Sequence, residues 1–190
     1  MWRTLTMADP LTDTTVAVFL AQRGTEEVEF TEPREAVENA GADVEVLGTE
    51  TGEVQTVNND LEPGDSYEIE KTFLEVSADD YDALIVPGGT VGADTLRMDE
   101  DAVDLVSEFA EAQMPVGIIC HGPWVLVEAD AVEGRTVTSY PSLQTDIQNA
   151  GGEWVDEEVV VDEGLVTSRN PDDLPAFCDK IVEEFEEGQH

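Results

Sequence analysis

Positive charge is what this chain has least of. Its 190 residues carry 8 Lys and Arg against 45 Asp and Glu, a formal net charge of -37. With no basic stripe to exchange for counterions, binding to DNA, RNA or an anionic membrane is not expected. Thiols and imidazoles are equally scarce: the chain has Cys120 and Cys178, and His121 and His190. Two cysteines in a cytosolic chain read as free thiols rather than a disulfide. Two histidines, one of them the final residue and expected to be disordered, do not make a first-row metal site, so neither metal nor cofactor is expected. GxGxxG, GxxxxGK[ST] and HExxH are all absent, which removes the dinucleotide, P-loop and zincin readings. The longest apolar runs, such as Val16 to Ala21 and Ala83 to Pro87, are too short to span a bilayer, and the opening MWRTLTMADPLTDTT has no apolar signal region. A soluble, cytoplasmic protein is expected.

What is present is enough apolar residue, 41%, to bury a full core. The expected organisation is one α/β domain over residues 16–187 behind a disordered extension, 1–15, within which Met7 is an alternative start. The acids run from Asp9 to Glu187 without forming a block, so they belong to the whole surface. Self-repulsion at this charge opposes compaction, and molar salt, with a Debye length of roughly 3 Å, relieves it. The composition therefore points to a salt-accumulating, halophilic cytoplasm.

Short β-rich runs alternate with helical patterns, the mark of a mostly parallel sheet covered on both faces. Strands are predicted at 16–20, 43–47, 83–86, 116–119 and 136–138, with a hairpin formed by 158–161 and 165–168. Helices are predicted at 27–40, with Pro33 kinking or delaying it, and at 99–113, 123–129, 141–150 and from Asn170-Pro171 onward. Residues 48–71 read as a turn-rich acidic excursion or hairpin.

The stretch VGIICHGPW holds the chemistry. An apolar strand delivers Cys120 to its carboxyl end and a helix starts at once, so the thiol sits where open α/β sheets place their ligands. The helix N-terminus favours a thiolate, and its amides can stabilise an oxyanion. His121 is the one histidine placed to pair with Cys120, provided that its ring folds back and another group orients it. The bland alternatives are a buried structural cysteine and a packing histidine. Gly88-Gly89 ends a neighbouring strand and permits close backbone approach. Glu26 and Glu29, spaced i, i+3 after the first strand, both face the crevice if the helix starts there.

EEVEF at 26–30, DALIVPGG at 82–89, ICHGP at 119–123, NAGGEWVDEEVVVD at 149–162 and TSRNPDDLPAF at 167–177 occur in that order and cover nearly everything from Val16 to Phe185. Together they resemble the PfpI intracellular protease family, within the superfamily that includes the parkinsonism-associated deglycase and glyoxalase. The resemblance implies a flavodoxin-like three-layer sandwich, like that of class I glutamine amidotransferases. It implies Cys120 as nucleophile with His121 as partner, Glu29 as a protonated carboxyl bonded to the sulfur, and Glu26 in the same pocket. The amides of Gly89 and His121 would form the oxyanion hole. Asp94 matches an acid that orients a neighbouring subunit's histidine, which implies a homo-oligomer. Trp124, where some relatives carry glutamine, would make a bulkier and less polar substrate-binding wall. No downstream His-x-Glu follows, so glutaminase activity is disfavoured.

The leading expectation is a cysteine-dependent enzyme that attacks reactive carbonyls, methylglyoxal or its early adducts on protein amines. The alternatives are an intracellular cysteine peptidase acting on protein or peptide substrates, and a non-enzymatic stress protein, redox-sensing or chaperone-like, whose Cys120 oxidises reversibly.

Overall fold

The computed structural model of the protein describes residues 7–190. In chain order the elements are β1 (Thr15–Phe19), α1 (Glu27–Asn39), β2 (Asp43–Gly48), β3 (Gly52–Asn58), β4 (Glu62–Ile69), β5 (Lys71–Thr72), β6 (Ala83–Val86), α2 (Thr90–Arg97) and α3 (Glu100–Glu111). They continue with β7 (Val116–Ile119), α4 (Pro123–Glu128), β8 (Thr136–Val137), α5 (Gln144–Asn149), β9 (Glu153–Trp154), β10 (Val160–Asp162), β11 (Leu165–Ser168) and α6 (Leu174–Glu187).

Seven strands form one sheet in the order β10-β11-β7-β6-β1-β2-β5, parallel throughout except for the β10–β11 hairpin. Val16 sits in register with Val44 on one side and Ala83 on the other, and Ser168 with Ile119. Both faces are covered, which is why the central strands are continuous apolar runs rather than alternating ones. Val16, Val18 and Leu20 pack with Phe30, Val37, Phe177 and Ile181, so α1 and α6 cover that face. Ala17, Phe19 and Ala21 point the other way, to Leu96, Leu105, Phe109 and Val125 on α2, α3 and α4. The result is the expected α/β three-layer sandwich with a mostly parallel centre.

The excursion at 48–71 is an antiparallel hairpin, β3–β4, followed by the edge strand β5. Several expectations need correction. Among the first fifteen residues, 1–6 lie outside those described, but the rest are not a loose extension. Residues 10–13 form a turn, Leu11 is fully buried, and its N–H donates to the Ala40 carbonyl. α1 begins at Glu27 without delay and runs through a buried Pro33. α2 was not anticipated, because TVGADTLR offers few apolar residues and a glycine inside the helix. The strand at 136–138 does not join the main sheet: β8 pairs in parallel with β9 in a small sheet of its own. His190 is placed, its N–H donating to the Gln113 carbonyl and its ring 3.3 Å from Glu184.

Candidate active site

The carboxyl ends of β1, β6 and β7 converge on one pocket, beside the point where the sheet order reverses between β1 and β6. Its lining includes Glu26, Glu29, Asp60, Gly89, Cys120, His121 and Tyr140, and its volume is about 230 Å3.

Cys120 follows β7 directly and has φ of +64°, a left-handed conformation costing a non-glycine residue of order 1 kcal/mol. The turn is held at both ends. Its N–H donates to the Ser168 carbonyl at 3.0 Å, and its carbonyl accepts from Tyr140 N at 2.8 Å. The side chain is thereby turned into the pocket and is 7% exposed. Burial pushes the thiol up, and the amides of Gly89 and His121, both directed at the sulfur, oppose that shift. Gly89 reaches this position at φ +88°, where any Cβ would lie 2.1 Å from the Gly24 carbonyl oxygen, so no other residue fits. The two amides expected to serve an oxyanion thus lie beside the Cys120 sulfur.

Glu29 comes from the first turn of α1 and is fully buried. Oε2 accepts from Gly88 N at 2.9 Å, Oε1 has no hydrogen-bond partner among the described residues, and the carboxyl lies near enough to the Cys120 thiol for each to shift the other's titration. Burial is the largest influence and pushes this carboxyl up to about 8, with the Glu26 charge adding to it. Glu29 is therefore protonated at neutral pH and holds a proton next to the sulfur.

His121 folds back over the elbow. Its Nδ1 lies 3.1 Å from Cys120 Sγ, and its ring stacks on Tyr140 with centroids 4.5 Å apart and planes at 22°. Burial holds the imidazole below its ordinary value, so it is neutral and able to accept a proton. The far nitrogen, Nε2, is 3.4 Å from both Thr90 Oγ1 and Ser142 Oγ.

Glu26 lines the pocket as expected, but its carboxylate is occupied: one oxygen accepts from Asn59 N at 2.6 Å and the other from Asp60 N at 3.0 Å. It latches the β3–β4 hairpin to the N-terminus of α1. Glu27 does the same further along, accepting from Thr56 Oγ1 at 2.9 Å and Tyr67 OH at 3.3 Å.

Two expected residues are elsewhere. Trp124 does not line this pocket; its indole N–H donates to Asp146 at 2.9 Å and its ring meets Arg97 and the edge of His121. The aromatic wall is Tyr140 instead. Asp94 is exposed on α2, in a separate depression with Arg97, Met98 and Glu128, and does not line the Cys120 pocket of its own chain. Asp60, Thr90, Tyr140 and Ser142 were not anticipated. None sits in a local motif, and Asp60 is one acid among 45.

The DJ-1/PfpI family profile matches residues 14–184. The chain belongs to the DJ-1/PfpI family. It is 41% identical over 152 residues to the Bacillus subtilis (strain 168) protein named "Putative cysteine protease YraA", covering 80% of this chain and 87% of that one. Drosophila melanogaster DJ-1beta is 30% identical with a TM-score of 0.81, over 91% of this chain and 90% of that one. A two-domain protein from Anabaena variabilis ATCC 29413, with DJ-1/ThiJ/PfpI-like and ferritin-like domains, is 33% identical at a TM-score of 0.83. That match covers 90% of this chain and 47% of the longer one. The sandwich described above is thus the DJ-1-like fold. Among the described residues no helix is long and apolar enough to cross a membrane.

Proposed function

We propose that the protein is a cysteine-dependent enzyme acting on small reactive carbonyls, methylglyoxal or its early adducts on amines. The observation that carries this reading is the convergence of a thiol, a neutral imidazole and a buried protonated carboxyl in a cavity of about 230 Å3. That volume suits a three-carbon dicarbonyl and lies below the several hundred cubic ångströms typical of larger ligand sites.

The chemistry follows from the placement. The Cys120 sulfur forms a bond to the aldehyde carbon as His121 Nδ1 takes the thiol proton and passes it to the carbonyl oxygen, giving a hemithioacetal. Glu29, protonated at rest with a pKa near 8, gives its proton to the neighbouring ketone oxygen, and the carboxylate so formed takes the hydrogen of the hemithioacetal carbon as a proton, leaving an enediol. It then returns that proton to the adjacent carbon and takes the one that the hydroxyl on the sulfur-bearing carbon gives up, which restores the protonated carboxyl and a carbonyl at the sulfur-bearing carbon. The product is a 2-hydroxyacyl thioester, which water hydrolyses to the 2-hydroxy acid and the free thiol. No outside oxidant or reductant enters, because one carbon is oxidised as its neighbour is reduced. Glu26 and Asp60 at the pocket favour departure of the anionic product.

Peptide hydrolysis by the same nucleophile is the second reading, favoured by the name of the Bacillus subtilis relative. It needs room for residues on both sides of the scissile bond. Purified protein in molar salt should release lactate from methylglyoxal and leave unstructured peptides intact; peptide cleavage without lactate would reverse that order. Neither activity, together with sulfinate at Cys120 after mild peroxide, would point to a non-enzymatic redox role.

A further inference from the structure

The β3–β4 hairpin brings an acid to the site that takes no part in the bond-making steps above. Asp60 stands at its tip, where Asn59 and Asp60 both have positive φ, 52° and 63°, a conformation that Asn and Asp tolerate better than most residues. The Glu26 carboxylate clamps both of their amides. So held, Asp60 receives Thr90 twice: Oδ1 accepts from Thr90 N at 2.7 Å and Oδ2 from Thr90 Oγ1 at 3.0 Å. Thr90 Oγ1 in turn lies 3.4 Å from His121 Nε2.

We propose that Asp60, acting through Thr90, is the positioning residue that fixes the tautomer of His121, so that Nδ1 faces the Cys120 thiol as a proton acceptor. A carboxylate only accepts hydrogen bonds, and a threonine hydroxyl has one proton. That proton is committed to Asp60, so only lone pairs of Thr90 Oγ1 face His121. A neutral imidazole has one N–H, and this arrangement places it on Nε2. Nδ1 is left bare, 3.1 Å from the sulfur. Ser142 Oγ, also 3.4 Å from Nε2, has no other partner among the described residues to commit its proton and adapts to either tautomer, so the choice falls to Thr90. The hairpin therefore supplies the group that orients His121 within a single chain.

The inference deepens the reading above and rests on Cys120 as nucleophile with His121 as its base. Its test, however, needs no substrate. Imidazole 15N chemical shifts of the full chain in molar salt report the tautomer of His121, and iodoacetamide alkylation in a Cys178→Ser background reports the readiness of Cys120. The wild type should show the Nε2–H form. Thr90→Val should mix the tautomers and slow alkylation on the order of tenfold, in line with loss of an aligned base, and Thr90→Ser should restore both. Asp60→Asn should go further: its NH2 donates to Thr90 Oγ1, turns the hydroxyl toward Nε2 and drives the imidazole proton to Nδ1. Ser142→Ala should leave the tautomer unchanged. An Nδ1–H form in the wild type, no tautomer change in Thr90→Val and Asp60→Asn, or a shift in Ser142→Ala alone would overturn the proposal. Should Thr90→Val fail to fold, the Asp60→Asn and Thr90→Ser pair still decides. Tautomer changes as expected with no carbonyl turnover would count against the proposed activity and leave the relay standing.

Discussion

His121 Nδ1 lies 3.1 Å from Cys120 Sγ although the two residues are adjacent in the chain. Side chains of consecutive residues ordinarily diverge. Here the left-handed φ of Cys120 swings its sulfur round, and the Tyr140 ring presses the imidazole back over it. The pair is made by backbone strain and stacking, not by proximity in sequence.

Replacing the sulfur tests the nucleophile. Cys120→Ser is expected to lower turnover to below about a tenth of wild type, because the covalent step is lost, while near-ultraviolet circular dichroism stays unchanged. Cys178→Ser is expected to retain activity, since Cys178 lies on α6, packed against the α1–α6 cluster.

Glu29 should reveal itself through pH. Its carboxyl is raised in the folded protein from 4.5 to about 8, so the folded state binds the proton more tightly than the unfolded one. Its contribution to stability is complete below the unfolded value and declines as pH rises through the folded one. The decline amounts to roughly 3 kcal/mol by neutral pH. Glu29→Gln keeps an acceptor for Gly88 N and removes the titration. Denaturant melts between pH 4.5 and 8 should therefore fall less steeply for the variant, and parallel curves would show that Glu29 is ionised in the fold.

Asp94 separates a shared site from a self-contained one. Within its own chain His121 Nε2 already faces Thr90 and Ser142. Asp94→Ala is accordingly expected to keep most of its activity and the wild-type His121 tautomer. If instead it is inactive, and mixing it with Cys120→Ser subunits restores turnover, the acid acts on a neighbouring copy in a homo-oligomer.

Stability should depend on salt at the molar scale. The bases are largely paired: Arg34 with Glu38, Lys71 with Glu45, Arg97 with Glu128, and Arg169 with Asp156 and Asp173. Eight bases cannot neutralise 45 acids, and the rest depend on screening. Thermal melts at fixed pH from dilute buffer to molar KCl should show a rising Tm, and a flat series would sink the halophilic reading.

The sheet was legible because buried parallel strands leave apolar runs such as VAVFL and ALIV, and Cys120 because a strand runs into it and a helix leaves it. The hairpin at 48–71 was legible only as broken periodicity. Its contribution was hidden, since Asp60 acts through a contact between residues thirty positions apart and resembles every other surface acid. Tyr140 was missed for a related reason: it reaches His121 from the irregular segment after β8, a strand whose pairing with β9 rests on two residues. Trp124 was misplaced because its indole N–H finds Asp146, a choice set by α5 packing against α4.

The anchored segment before β1 has a practical consequence. Leu11 pins residues 9–14 beneath the turn between α1 and β2, where Gly41 at φ +102° leaves room for Asp9 and Thr12. That turn lies at the amino end of the parallel strands, and the pocket lies at the other, roughly 17 Å away along five extended residues. A handle attached ahead of Asp9 would hold the molecule by its base. Coupled that way to a bead or an electrode, every copy would turn the mouth of the Cys120 pocket toward the solution.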